Sequence, residues 1–369
     1  MRKTAWIIGM ILLFSVMLSG CSREEAQEIL APVMEELIAG PAGTASVEDE
    51  EETFPAVPEI DTSLRIRPGL RIAVVGRGKK GEYWDAVQHG MKQALKDINE
   101  AYAFSKDDQI RMTYEAPDSE SDVDGQINML DAVIAENPDV LCLAACDANS
   151  GLAQLEVARE NGIPVITFDS GVYTEDEELV SAFRASDNRR IGEIGGYRLA
   201  LAIGKMGKVA LFCGSSKLES TAERVQGFTD LVAAYGDIKI IATVYADETE
   251  NMSDAMSEVL ASDPNLTGVF CTSPEVSELY LNMKKDETLE SVAMVGVDAT
   301  LRQQSAVRSG EEAGVVSQYP FAIGYQTIWT AVQATTRNGR SEMEKKIQIE
   351  PMWIDRKTID FKKAENYLF

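Results

Sequence analysis

Histidine is nearly missing from this 369-residue chain: His89 stands alone. One imidazole cannot furnish the paired His ligands of most zinc sites, and it leaves Ser/His/Asp hydrolysis no choice of base, so hydrolytic chemistry is not expected. Basic residues are also scarce, 35 Lys and Arg against 60 Asp and Glu, giving a formal net charge of −25. Such a chain attracts neither phosphate backbones nor anionic lipid surfaces, and no nucleic-acid partner is expected. Cysteines number five. Cys142, Cys146, Cys213 and Cys271 fall inside or at the ends of apolar runs, where a thiol packs as a small hydrophobe. The three-residue spacer between the first two, and their spread over separate runs, argue against a four-thiolate metal site; no metal and no disulfide framework are expected. Against these absences stand 45% hydrophobic residues and a length that suits two domains.

The one long apolar run lies at the N-terminus. Arg2 and Lys3 precede Ala5 to Leu18, short for a bilayer span and suited to the core of an export signal. The run ends in Leu18, Ser19, Gly20 and Cys21, which resembles a bacterial lipoprotein cleavage box. That resemblance implies removal of residues 1–20, a diacylglycerol on the Cys21 thiol, and a folded part held outside the cytoplasmic membrane by two acyl chains. Between Glu24 and Asp61 there are twelve acidic residues and no basic one, with Pro41, Pro55 and Pro58 among them. Self-repelling carboxylates favour an extended linker, so residues 21–67 read as an acidic tether. Ile29, Leu30, Val33 and Leu37 sit at helical spacing within it, so a short amphipathic helix stands beside the plain tether as an alternative.

From Leu70 onward short β-branched runs alternate with helical stretches. The runs are 70–75, 110–115, 140–145, 163–168, 209–213, 238–244, 266–271, 292–297 and 314–317, with a further strand pattern over 347–354. Helical patterns cover 84–98, 123–136, 152–161, 191–203, 222–234, 252–261 and 320–336. Continuous apolar runs between amphipathic helices indicate parallel sheets covered on both faces. Nine or more strands overfill an eight-stranded barrel, so the expected class is α/β with two doubly wound, Rossmann-like lobes.

In open sheets of this kind ligands bind beyond the carboxyl ends of the strands. There the sequence places Arg77, Tyr83 and Trp84 after the first run, Asp169 and Ser170 after the fourth, Thr272 and Ser273, Asp298, and Gln318. Carboxylates, hydroxyls and planar donor groups along one edge suit a polar, hydroxyl-rich ligand, and aromatic faces cover the C–H face of a sugar ring. Gly76 to Gly81 formally matches a dinucleotide fingerprint. However, Glu115, the acidic residue ending the next run, lies 34 positions beyond Gly81 where about 20 is usual, and Lys79 and Lys80 occupy a turn that must pack tightly. No cofactor is expected, and the glycines read as a mobile loop over the ligand. Lys79 and Lys80 read as solvated, with His89 a surface residue. Were Arg77 and these lysines to face the cleft, they would favour an anionic ligand.

From about Arg71 to the C-terminus the chain resembles the periplasmic sugar-binding proteins of the ribose and galactose type. The motifs are Gly-Ile-Pro-Val-Ile-Thr-Phe-Asp at 162–169, Ala-Ser-Asp-Asn at 185–188, Ala-Glu-Arg-Val-Gln-Gly-Phe at 222–228, Val-Gly-Val-Asp at 295–298 and Ser-Gln-Tyr-Pro at 317–320. The resemblance implies two lobes joined by three crossovers, with an N-terminal lobe of 68–185 plus 319–350 and a C-terminal lobe of 186–318 plus 351–369. It implies ligand contacts at Asp169, Arg224, Asp298 and Gln318 and a sugar sandwiched by Tyr83 and Trp84, with Arg77 where a small polar contact is usual. Gly81, Ser170 and Ser273 depart from the family's Asn, Arg and Asn, which counts against ribose itself. The implied function is a monomeric, lipid-anchored, non-enzymatic binding protein that delivers a monosaccharide or polyol to an ABC permease. A sensory subunit for a membrane kinase or chemoreceptor is the alternative in the same class. A transcription regulator would need a basic DNA-binding helix pair before Arg71, where the acidic run stands, and an enzyme would need an acid/base pair that is not visible.

Overall fold

A computed structural model describes residues 57–369 apart from 285–288, so the leader, Cys21 and most of the acidic run lie outside the described residues. Two six-stranded sheets organise the rest. The first runs β2 (Arg111–Glu115), β1 (Arg71–Val75), β3 (Val140–Leu143), β4 (Val165–Phe168), β5 (Ala182–Ser186) and β11 (Lys346–Ile349), every pair parallel. The second runs β7 (Ile238–Tyr245), β6 (Gly207–Cys213), β8 (Leu266–Cys271), β9 (Ala293–Val297), β10 (Gly314–Ser317) and β12 (Met352–Ile354), with only β12 antiparallel. The two orders are the same when read strand for strand, so β4 and β9 occupy equivalent places.

The central strands of each sheet are buried on both faces, successive side chains packing to opposite sides. In β1, Ile72 and Val74 pack under α1 (Glu82–Ala101) and α9 (Pro320–Ala334), while Ala73 and Val75 pack under α2 (Val123–Ala135) and α3 (Leu152–Glu160). In β6, Val209, Leu211 and Cys213 face α4 (Asn188–Ala202) and α5 (Glu219–Val232). Ala210 and Phe212 face α6 (Met252–Ser262) and α7 (Pro274–Met283). This double burial is why the strands read as unbroken apolar runs. The four cysteines of the described residues are buried and free.

The close helix pair of each lobe meets at glycines. A Cβ on Gly90 of α1 would lie 1.9 Å from the Phe321 carbonyl oxygen of α9, and one on Gly192 of α4 would lie 2.0 Å from that of Arg224 in α5. The backbones therefore touch there, and only glycine fits.

The chain passes between the sheets three times: from β5 into α4 at Asp187, from β10 into α9 at residues 318–319, and from β11 to β12 at residues 350–351. The Asp187 side chain caps α4, and its backbone N–H donates to the Ile349 carbonyl at 3.0 Å, tying two crossovers together. The pattern read over 347–354 is thus two strands in different sheets, parted at Pro351.

The sequence reading missed β5, α7 and α8 (Leu301–Ser309). Arg184 interrupts β5 yet is 1% exposed; its guanidinium donates to Thr330 Oγ1 and to the Phe183 and Glu344 carbonyls. Leu64 and Ile66, assigned to the tether by the sequence reading, are buried in the first-lobe core.

Candidate functional site

β4 and β9, which hold equivalent places in the two sheets, each end in an aspartate. Asp169 and Asp298 both adopt positive φ, 59° and 76°, a left-handed turn that Asp tolerates better than most residues. Each is pinned by its own backbone N–H, donating to the Arg184 carbonyl at 2.9 Å and the Val316 carbonyl at 3.1 Å. Both carboxylates are buried.

On the first lobe, Asp169 accepts from Arg77 Nη2 at 3.1 Å and from the Tyr83 hydroxyl at 2.5 Å. Arg77 Nη1 pairs with Glu120 Oε2 at 3.1 Å, and Trp84 Nε1 donates to the other Glu120 oxygen at 2.7 Å. Burial opposes the Arg77 charge, but Glu120 and Asp169 outweigh it and hold the guanidinium above its ordinary value. Burial likewise pushes the Tyr83 phenol well up, helped by Asp169 and Asp298, so it acts as a fixed donor.

On the second lobe, Arg224 is held from behind: Nε donates to Asn188 Oδ1 at 2.9 Å and Nη1 to the Thr272 carbonyl at 2.7 Å. Gln318 Nε2 donates to Asp298 Oδ1 at 2.9 Å. Burial raises the Asp298 carboxyl to about 6 although Arg224 and Gln318 favour its charge, while Glu275 and Asp169 add to the rise.

The Asp169 charge thus reaches Asp298 across the two lobes, and Tyr83 responds to Asp169 of its own lobe and to Asp298 and Arg224 of the second. Backbone and side-chain bonds join the lobes nearby. Ala148 N–H donates to the Lys217 carbonyl at 2.9 Å, Gly171 N–H to Glu219 Oε2 at 3.0 Å, and Leu301 N–H to Glu82 Oε2 at 2.8 Å. Three polar atoms of the sequence-derived set, Arg77 Nε, Ser170 Oγ and Ser273 Oγ, are buried without a hydrogen-bond partner. Orphaned polar atoms are costly and rare in folded proteins, and these three, of eight such atoms among the described residues, sit at the facing strand ends.

Of the nine sequence-derived residues, the structure gathers Arg77, Tyr83, Asp169 and Ser170 on one side and Arg224, Ser273, Asp298 and Gln318 on the other. Trp84 differs. Its indole is 2% exposed in the first-lobe core, with the Arg77 guanidinium 5.5 Å over it, so it supports the site from behind. The glycine loop differs too. A Cβ on Gly76 would meet Tyr114 Oη at 2.2 Å and one on Gly78 would meet Trp84 Nε1 at 2.1 Å, so these glycines serve close packing and not loop freedom. Lys79 and Lys80 are exposed, Lys79 pairing with Asp118 at 3.3 Å. Two cavities flank the site. One of about 350 Å³ lies at the Gly78–Lys80 loop with Glu120, and one of about 270 Å³ lies between His89 and Phe369. The sequence reading missed Glu120, Asn188 and Phe369. Glu120 follows β2 and Asn188 closes the 185–188 motif, so both lay within reach of a strand-end search; Phe369 lies far along the chain from any strand end.

Residues 72–339 match the family model described as a periplasmic binding protein domain. The chain belongs to that family. Its sheets and lobes have the type I architecture, and it is similar to a solute-binding protein of Agrobacterium vitis with bound D-fucose, at a TM-score of 0.73 and 24% identity, covering 81% of this chain and 100% of that one. A second Agrobacterium vitis protein, bound with α-D-tagatopyranose, gives 0.72 at 25% identity, covering 81% and 99%. Among curated relatives, the ribose import binding protein of Escherichia coli is 29% identical over 193 residues, 52% of this chain and 64% of that protein. The D-ribose/D-allose-binding protein of Pseudomonas aeruginosa is 24% identical over 277 residues, 73% and 74%. The match thus spans less than two thirds of the ribose import protein.

Proposed function

We propose that this chain is an extracytoplasmic binding protein, anchored through Cys21, that captures a neutral monosaccharide or polyol between its lobes and presents the closed form to an ABC permease. The observation that carries the reading is the set of three orphaned polar atoms, Arg77 Nε, Ser170 Oγ and Ser273 Oγ, beside two buried carboxylates, one from each lobe. One planar donor, two hydroxyls that donate or accept, and two acceptors suit a ligand rich in hydroxyls. Because the groups are divided between lobes, such a ligand gains contacts in the closed state that it lacks in the open one, and that differential drives closure. The names of the relatives support the same class.

The charges favour a neutral guest over a sugar acid. Arg77 is already paired with Asp169 and Glu120, and the Arg224 charge already acts on the buried Asp298 carboxyl, so neither guanidinium is an unopposed charge for a ligand carboxylate. The guest is read as leaving unchanged, in keeping with the family's description and the relatives' names as binding proteins. The test is a thermal-shift series with pentoses, hexoses, sugar acids and polyols. Neutral sugars or polyols should raise the melting temperature and sugar acids should not; a response confined to the acids would overturn the charge argument.

A further inference from the structure

The second lobe reaches Tyr83 with a ring of its own, carried by a segment beyond the span of the family model, which ends at residue 339. After β12 the chain turns through residues 355–361 into a short 3₁₀ helix, Lys362–Tyr367, and returns to the site. Its main-chain hydrogen bonds are to residues that flank the site on the second lobe, while Ala364 and Tyr367 pack into the core it shares with the first. Ser317, next to Gln318, donates its hydroxyl to the Tyr367 carbonyl at 2.6 Å. Ala299, next to Asp298, accepts from the Phe369 N–H at 3.4 Å, and Gln304 Nε2 donates to the carbonyls of both Ala299 and Phe369. Buried Tyr367 packs on Tyr319 with ring centres 5.2 Å apart. So fixed, the segment sets the Phe369 ring edge-on to Tyr83, centres 5.7 Å apart. Tyr83 in turn donates to Asp169, and its neighbour Glu82 accepts from the Leu301 N–H across the lobes.

We infer that residues 361–369 form a second-lobe strap and that Phe369 is a positioning residue for Tyr83, setting both the phenol's aim at Asp169 and the ease with which the lobes part. The inference rests on the two-lobed cleft proposed for sugar capture, but its test needs no sugar. Ala148, Gly171 and Leu301 each donate a backbone N–H across the lobes, so their amide hydrogen exchange reports opening directly. In the full-length protein Phe369→Ala should speed exchange at these three amides by roughly three- to tenfold, the range one edge-on aromatic pair supports. Amides inside β3 and β8 should be unchanged. Phe369→Tyr, which keeps the ring, should restore the slow rates. Unchanged exchange at the three amides in Phe369→Ala would overturn the inference, as would equal acceleration inside the strands, since that would mark a general loss of stability. A failed sugar screen would leave this result untouched.

Discussion

Asp298 illustrates a site residue held at a cost to the fold. Its carboxyl has an ordinary value of 3.8 and is raised to about 6, chiefly by burial. An acid whose folded-state value is raised contributes stability that is fully present below about pH 4, where both states are protonated, and that is lost as the pH rises through 6 and the folded protein must carry a buried charge. Asn at this position is neutral throughout and keeps an oxygen to accept from Gln318. Asp298→Asn should therefore match the wild type near pH 4 and become more stable than it by pH 7, by on the order of 3 kcal/mol. Urea unfolding at the two pH values measures the difference, and a constant offset between them would show that burial is not what shifts this group. The same variant should lose thermal stabilisation by any sugar that binds the wild type. Asp169 and Asp298 were legible in sequence because each closes an apolar run. Arg77 is buried by Glu120 and Trp84, partners that no local pattern around residue 77 announces.

Among the elements, the strands read from sequence were those with apolar or β-branched runs, whether central or at an edge. β1, β3, β4, β6, β8 and β9 are continuous apolar runs and were found. β5 was not, because Arg184 satisfies its guanidinium inside the fold through residues far along the chain. α8 was missed because its inner face carries Gln303 and Gln304, buried and donating to the Val297 and Ala299 carbonyls, in place of an apolar stripe; α7, which opens on Pro274, was missed as well.

Sequence alone does not convey how closely the helices approach, and that approach positions the site. α4 supplies Asn188, which holds Arg224 of α5, and Gly192 of α4 meets the backbone of α5 at Arg224 and Phe228. A side chain at 192 must push α5 away and pull Arg224 off Asn188. Gly192→Val should cost about 1–3 kcal/mol of stability from overpacking. It should also lower sugar affinity by more than about tenfold, because breaking a hydrogen bond inside a buried site leaves the other group unsatisfied. Calorimetry with a sugar that stabilises the wild type separates the two effects, and a folded variant of unchanged affinity would detach Arg224 from recognition.

At the scale of the whole molecule, two sheets were legible because the strand-helix period repeats and the three crossovers came from the family resemblance, while the point where the fold begins was not legible. Composition places that point near residue 68, since the acidic run and its prolines hide the few apolar residues at its end. The structure places it earlier. Leu64 and Ile66 are buried against the first lobe, and Tyr102 Oη donates to the carbonyls of Asp61 and Leu64, so residues 61–66 close one edge of the core. Burying two such side chains stabilises by roughly 3–5 kcal/mol, a large share of the stability of a domain. Two truncations therefore behave differently. A protein beginning at residue 57 should keep full stability and sugar affinity and, having lost Cys21, should move from the membrane fraction to the soluble one. A protein beginning at residue 68 should unfold at markedly lower urea concentration and bind sugar only in proportion to the folded fraction. Equal unfolding midpoints would return residues 61–67 to the tether, and a membrane-bound 57–369 fragment would refute anchoring through Cys21.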